Sequence, residues 1–383
     1  MNDTVNLCSL TVYRSLLELP FVQALDRLLS RMDRDKAWDG DYGRAWFALA
    51  QAGYDSPAAY LTEHLRYDDS PFAAAVARGR ETELLVNAAR RDLALLGAAL
   101  ARVEQAAAQR PDLPRWGTGT LPAPEALMES YRTCGCGQFA RCRAFVWENG
   151  GLYPVEQPDY VPEAEMLGYE RQRSQLAANT RAMLAGCRVN NVLLYGVSGT
   201  GKSATVKALL GMEGMENLRI IELDKSDLPG IPELVRMLGH QSQKFILFID
   251  DLAFDKDDRS YSILKTILEG GVEPRPANVA VYATSNRRHL VRETFSDRAG
   301  DEVDARETIQ EKTSLSERFG LRILFHELGK PQFLQMIRDM AALRGVTMPE
   351  EELMALAVKW DVRNPNRTPR SAVQFLDSLH TLE

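Results

Sequence analysis

At 383 residues, 45% of them hydrophobic and 26% charged, the chain is long enough for two or three domains and too apolar to be disordered throughout. A net charge of −7 opposes a broad non-specific nucleic-acid footprint, and no run approaches the ~18–20 apolar residues of a membrane helix. The start, Met1-Asn2-Asp3-Thr4, lacks the basic residues and apolar run of a signal peptide, and five cysteines in so long a chain argue against a disulfide framework. A cytoplasmic protein with no membrane partner is expected.

Residues 1–105 read as a helical N-terminal domain. From Leu85 the apolar positions Ala89, Leu93, Leu96, Leu100 and Val103 recur at spacings of three and four, one face of a helix turned to a core. The stretch 106–130 then carries Pro111, Pro114, Gly117, Gly119, Pro122 and Pro124, which continuous helix or strand cannot hold, so a linker is expected there. Cys134-Gly135-Cys136 with Cys142 resembles a metal site, but structural zinc takes four ligands, usually in pairs spaced C-x₂₋₄-C. The C-x-C spacing favours a glycine-rich turn of reduced thiols, with Phe139, Phe145 and Trp147 as core; zinc or a shared iron–sulfur site is the alternative.

Residues 131–329 read as an α/β domain. Short runs at 191–195, 218–223, 245–249, 278–283 and 321–325 are apolar on both faces, as strands of a helix-covered parallel sheet are. Residues 330–383 turn helical. One helix opens near Pro331 with Phe333, Leu334, Ile337 and Met340 on one side; a second runs from Glu350 with Leu353, Leu356 and Trp360. A third starts at Thr368-Pro369, an N-cap followed by proline at the first helical position.

The segment Gly196-Val197-Ser198-Gly199-Thr200-Gly201-Lys202-Ser203 satisfies G-x-x-x-x-G-K-[ST]. An apolar strand precedes it and Ala204 opens a good helix-forming stretch, the strand–loop–helix setting that a phosphate loop requires. Its glycines let backbone N–H groups curl around a phosphate. Lys202 is suited to the β- and γ-phosphates of ATP, and the Ser203 hydroxyl to Mg²⁺. The run 245–249 ends in Asp250-Asp251; Asp250 would hold Mg²⁺ and Asp251 would orient or deprotonate an attacking water. Glu is common at the second position in related enzymes, so Asp there is the shorter variant. Asp255, Asp257 and Asp258 read as a solvated loop. A third strand ends in Thr284-Ser285-Asn286, placing an amide at the carboxyl edge of the sheet, where ligands gather and where Asn286 can hydrogen-bond both the γ-phosphate and the attacking water.

In this order the motifs resemble the AAA+ ATPases. The blocks Gly168-Tyr169-Glu170-Arg171-Gln172, Asn179-Thr180, 190–196, 283–290 and 314–321 resemble, more narrowly, the bacterial AAA+ family known as domain of unknown function 815, over about residues 130–380. The resemblance implies a P-loop (AAA+) parallel sheet flanked by helices, a C-terminal helical lid, and an ATPase that works as a homo-oligomer. It implies that Arg318, before a Phe-Gly step, reaches a neighbour's ATP, with Arg287 as runner-up, and that Arg370 contacts the γ-phosphate of its own subunit. It also places the Gly168-Tyr169 segment at the base, with Tyr169 or Met166 to stack on it. Residues 1–105, where the resemblance fades, are left to meet an unidentified protein partner. One departure is that 224–243 holds no aromatic residue, against the pore loop of peptide-threading relatives. An ATPase that remodels or assembles a partner leads; a nucleotide-gated switch, a DNA-loading ATPase and a small-molecule kinase are the alternatives.

Overall fold

The computed structural model describes residues 5–34, 36–254, 260–269, 275–286 and 315–379. The chain divides into two compact units, Met1–Arg141 and Cys142–Glu383.

The first unit is helical: α1 (Pro20–Asp33), α2 (Asp39–Gln51), α3 (Pro57–Arg66), α4 (Pro71–Ala77), α5 (Glu83–Ala108), α6 (Pro124–Cys134) and α7 (Gly137–Arg141). Four of them carry proline in the first turn, where its missing N–H leaves no bond unmade. The expected stripe is the buried face of α5, with Ala89, Leu93, Leu96 and Val103 inside and Leu100 packed beside them. The Pro- and Gly-rich stretch lies along this same unit. Trp116 stacks on Tyr42 at 4.9 Å, the Tyr42 hydroxyl donates to Pro114 O at 2.8 Å, and Gly117 N donates to Asp55 O at 2.6 Å. Pro124 then opens α6, whose Leu127 and Tyr131 are buried in the helical core.

Asp92 on α5 is fully buried and organises the start of the unit. Its Oδ2 accepts the N–H groups of Thr11 (2.8 Å), Val12 (2.8 Å) and Tyr13 (3.3 Å), and its Oδ1 accepts the Thr11 hydroxyl at 3.1 Å. Replacing it by alanine strips four donors of a charged acceptor inside the protein. Asp92→Ala is expected to destabilise this unit by about 3 kcal/mol. Amide exchange at Thr11, Val12 and Tyr13 checks it; protection equal to wild type would refute the assignment.

The second unit is built on seven strands: β1 (Ala144–Glu148), β2 (Gly151–Val155), β3 (Val192–Gly196), β4 (Leu218–Leu223), β5 (Lys244–Ile249), β6 (Val279–Ser285) and β7 (Leu321–Phe325). Their order in the sheet is β2-β1-β4-β5-β6-β3-β7, and every pair is parallel except the β1–β2 hairpin. The five expected strands are β3 to β7. The hairpin was not expected; it turns through Asn149 and Gly150, both at positive φ.

Alternate residues of the parallel strands (Val192, Leu194, Ile220, Ile246, Phe248, Ala280, Ile323) join one core with Leu176, Ala177 and Met183 of α8 (Glu170–Leu184) and Val206 of α9 (Lys202–Ala208). The intervening residues Leu193, Ile221, Leu247 and Val281 are buried too, and two-sided burial is why these strands are rich in apolar residues. Tyr282 reaches the same core, and its hydroxyl meets Thr180 Oγ1 and Asn179 Nδ2, each at 2.9 Å. The Asn179-Thr180 block thus clamps α8 to the sheet. Two further helices, α10 (Ile231–Gly239) and α11 (Ser260–Glu269), follow β4 and β5.

Three helices close the unit: α12 (Lys330–Leu343), α13 (Glu350–Arg363) and α14 (Pro369–Leu379). They bury Phe333 and Ile337, Leu353 and Ala357, and Phe375 and Leu376 respectively. Thr368 caps α14 by accepting Ser371 N at 3.3 Å. Asp361, buried on α13, holds Arg367 by two bonds of 2.7 and 3.2 Å, and Arg367 O accepts Leu328 N at 3.0 Å, which ties the helical hairpin to the chain leaving β7. Among the described residues no helix is long and apolar enough to cross a membrane.

Candidate active site

The carboxyl ends of three neighbouring strands meet at one place. β3 delivers the loop 196–201, β5 delivers Asp250 and Asp251, and β6 delivers Thr284 and Asn286. Parallel register does this: Tyr195 pairs with Ser285 and Ile249 with Ala283, so the residues just beyond them converge.

The loop begins where only glycine fits. Gly196 has φ of 133°, and a Cβ there would stand 1.9 Å from Phe325 O on β7. Lys202, at the start of α9, is buried, and its Nζ donates to Gly196 O (3.1 Å), Val197 O (2.8 Å) and Asn286 Oδ1 (2.9 Å). Burial pushes its ammonium below the usual lysine range, while the charges of Asp251 and Asp250 pull it back. Asn286 turns its other end to Asp251, donating from Nδ2 to Oδ1 at 2.8 Å. One amide therefore bridges the lysine and the second acid. The first acid faces the hydroxyl: Ser203 Oγ donates to Asp250 Oδ1 at 2.5 Å.

The lid completes the site. Arg370 N, in the first turn of α14, donates to Gly199 O at 3.2 Å, and a Cβ on Gly199 would stand 3.0 Å from Arg370 Cβ. A cleft of about 490 Å³ lies between them, lined by Ser198, Gly199, Gly201, Lys202, Ser203, Ala204, Asp250, Asp251, Thr284, Asn286 and Arg370 among others. Val197 and Thr200 belong to the same loop, where Thr200 Oγ1 donates to Val197 O at 2.8 Å.

A second cavity of about 470 Å³ shares Gly201, Ala204, Pro369 and Val373 with the cleft and extends along Met166, Leu167, Gly168 and Tyr169 to Met340 and Arg344. Tyr169 lines it, but its ring packs on Phe325 at 5.1 Å and its hydroxyl donates to His326 O at 2.7 Å. That burial pushes its phenol up to about 12.

Arg318 is not brought to this cleft. It is exposed, on the turn before β7, between buried Leu315 and Phe319. Asp255, Asp257, Asp258 and Arg287 lie outside the described residues. The five cysteines are unbridged, Cys134 exposed and Cys136 and Cys142 buried, and among the described residues no three His, Cys, Asp or Glu are grouped to hold a metal.

Two features escaped the sequence reading. Thr284, quoted there only as part of a polar strand end, donates to Asp250 Oδ1 at 2.5 Å and accepts Asp251 N at 2.9 Å. Arg344 and Met340, remote in sequence from Met166, share a cavity with it. No local pattern marks Thr284, because its partners are 33 and 34 residues away and reach it through strand register.

The donor set fits the groups the motifs imply. Glycine backbone and a buried lysine suit phosphate oxygens, and a hydroxyl beside a carboxylate offers hard oxygen ligands of the kind Mg²⁺ takes.

Comparison with known proteins agrees on the family. Residues 140–382 match the model of a family described as protein of unknown function, DUF815. No curated protein matches the chain. Among solved structures, the Thermotoga maritima RuvB Holliday junction branch migration motor aligns with a TM-score of 0.37 at 16% identity, over 56% of this chain and 62% of that one. A substituted form of the same protein aligns with 0.36 at 16%, over 54% and 60%. The chain spans less than two thirds of the length of these proteins.

Proposed function

The chain belongs to the DUF815 family of AAA+ proteins, and from that membership we propose that it binds ATP with Mg²⁺ at this cleft and hydrolyses it, acting as an oligomer whose cycle remodels or assembles a partner macromolecule. The observation that carries the reading is the Asn286 bridge from Lys202 to Asp251, set beside the Ser203–Asp250 contact in one cleft.

In this reading the backbone of Gly196–Ala204 and the Lys202 ammonium take the phosphates. Ser203 and Asp250 hold Mg²⁺, which when bound offsets the negative charge that gathers on the phosphates. Asp251 accepts a proton from the attacking water, and Asn286 keeps its carboxylate pointed into the cleft. Arg370 rides on the lid and reports closure to the γ-phosphate, while Arg318 serves the neighbouring subunit's ATP. Residues 1–105 are left to recognise the partner.

The test is phosphate release by the purified chain, assayed at high protein concentration, against Asp251→Asn. Removing the base is expected to lower turnover by about 10²–10⁴ while ATP binding persists. Wild type without release above background would end the enzyme reading. A specific observation favours a second reading, a nucleotide-gated switch with little turnover: the base position is Asp, whose short side chain is already engaged by Asn286. Mass in solution with ATP, with ADP and with neither separates the two when read beside turnover.

A further inference from the structure

The motifs give roles to Ser203, Asp250, Asp251 and Asn286, yet they give none to Thr284, the residue that joins the two acids. Thr284 is the sixth residue of β6 and is almost fully buried. A threonine hydroxyl has one proton to give and lone pairs to accept with, and both capacities are used here. The proton goes to Asp250 Oδ1 at 2.5 Å, and the oxygen accepts the backbone N–H of Asp251 at 2.9 Å. The main chain adds a third link, with Leu252 N donating to Thr284 O at 2.7 Å.

These contacts hold a strained turn. Asp251 has φ of 47°, in the left-handed region that a non-glycine residue occupies only when its surroundings enforce it. Without that φ the chain leaving β5 would carry the Asp251 carboxylate away from Asn286 Nδ2. On the other side, Asp250 Oδ1 receives Thr284 and Ser203 together, so its orientation toward the hydroxyl depends on the threonine.

We propose that Thr284 is a positioning residue for both acids: its hydroxyl fixes the rotamer of Asp250 toward Ser203 and the backbone of Asp251 toward Asn286. The inference rests on the ATPase reading above and adds to it a residue that acts through the two acids. Outer-shell partners of this kind change metal affinity by about 10–100-fold when removed.

The experiment uses the full chain with Thr284→Val, which keeps the shape and loses the hydroxyl, and Thr284→Ser, which keeps the hydroxyl. Fluorescent ATP binding is titrated with Mg²⁺ and repeated in EDTA, and kcat and KM are measured on the same samples. Thr284→Val is expected to raise the Mg²⁺ concentration for half-maximal effect about tenfold or more and to lower kcat by about 10–100-fold, with little change in binding in EDTA. Thr284→Ser is expected to recover both quantities to within about threefold of wild type. Should the valine variant fail to fold, Thr284→Ala replaces it with the same expectations. A hydroxyl-free variant equal to wild type in Mg²⁺ response and kcat overturns the proposal, and so does a serine variant as defective as valine, since packing would then explain the loss. If wild type binds Mg²⁺ and nucleotide but releases no phosphate, the ATPase reading fails alone and the Mg²⁺ titration still decides the role of Thr284. If wild type binds no nucleotide, both fall.

Discussion

Subunits carrying Arg318→Ala are expected to bind ATP normally, to release phosphate at about a thousandth of the wild-type rate or less, and to regain activity when mixed with inactive Lys202→Ala subunits. Arg318 is exposed and lines neither cavity of its own chain. Its backbone is nevertheless held: Arg318 N donates to Leu315 O at 3.2 Å, and Leu315 and Phe319 on either side are buried. An arginine on an anchored turn can be presented at a fixed position on a surface. A head-to-tail interface would deliver it to the next subunit's cleft, because such interfaces join unlike patches. In an equimolar mixture of the two variants, about a quarter of such interfaces would pair an intact Lys202 with an intact Arg318. Steady-state phosphate release across mixing ratios measures this. No recovery, or an Arg318→Ala rate near wild type, would leave Arg318 as a surface arginine and remove the case for a shared site.

How far the sequence could be read followed from where the constraint lies. Strands β3, β5 and β6 were legible because both faces of the sheet are buried there and each shows as a largely apolar run, whereas β4 carries Arg219 and Glu222 and β7 exposes Arg322 and Leu324. The lid helices were legible through local chemistry: proline in the first turn of α12 and α14, and the Thr368 cap. The β1–β2 hairpin had a signal as well, since Asn149-Gly150 between two short runs is a two-residue turn. It was passed over because Phe145 and Trp147 read equally well as generic core. Residues 196–203 form one run and Asp250-Asp251 another, so each could be recognised as a motif, and the meeting of Ser203 with Asp250 across 47 residues could be argued from the order of the motifs. Thr284 could not, because its partners are 33 and 34 residues away and its role depends on strand register. The cavity joining Met166 to Met340 and Arg344 is a product of lid packing, which no local pattern encodes.

Gly196→Ala should damage the protein twice, and the comparison with Lys202→Ala shows why. At Gly196 the added Cβ would stand 1.9 Å from Phe325 O and 2.8 Å from Phe325 C, and both are backbone atoms of β7. A side chain could swing aside, but a strand cannot. The same carbonyl accepts Val197 N at 3.0 Å, and Gly196 pairs with Phe325 in the β3–β7 register. Relief therefore requires moving β7, or the start of the phosphate loop, or both. β7 runs on to Leu328, which is bonded to the Arg367 segment of the lid, so a displaced strand also shifts the helix that carries Arg370. The φ of 133° adds strain for any residue with a Cβ. Together these are expected to cost on the order of 3–5 kcal/mol of stability in this unit and to abolish ATP binding. Lys202→Ala removes a buried ammonium and its three acceptors' partner without pressing on any strand. Its expected signature is loss of binding with unfolding shifted by no more than about 1–2 kcal/mol. Thermal unfolding with and without Mg²⁺ and ATP separates them: wild type gains stability from the ligand, Lys202→Ala does not, and Gly196→Ala starts lower and gains nothing. A Gly196→Ala protein as stable as wild type would mean that the close approach of the loop to β7 is not a constraint on the fold. One that still gained stability from ATP would separate the phosphate loop from nucleotide binding, and the assignment of the cleft would have to be abandoned.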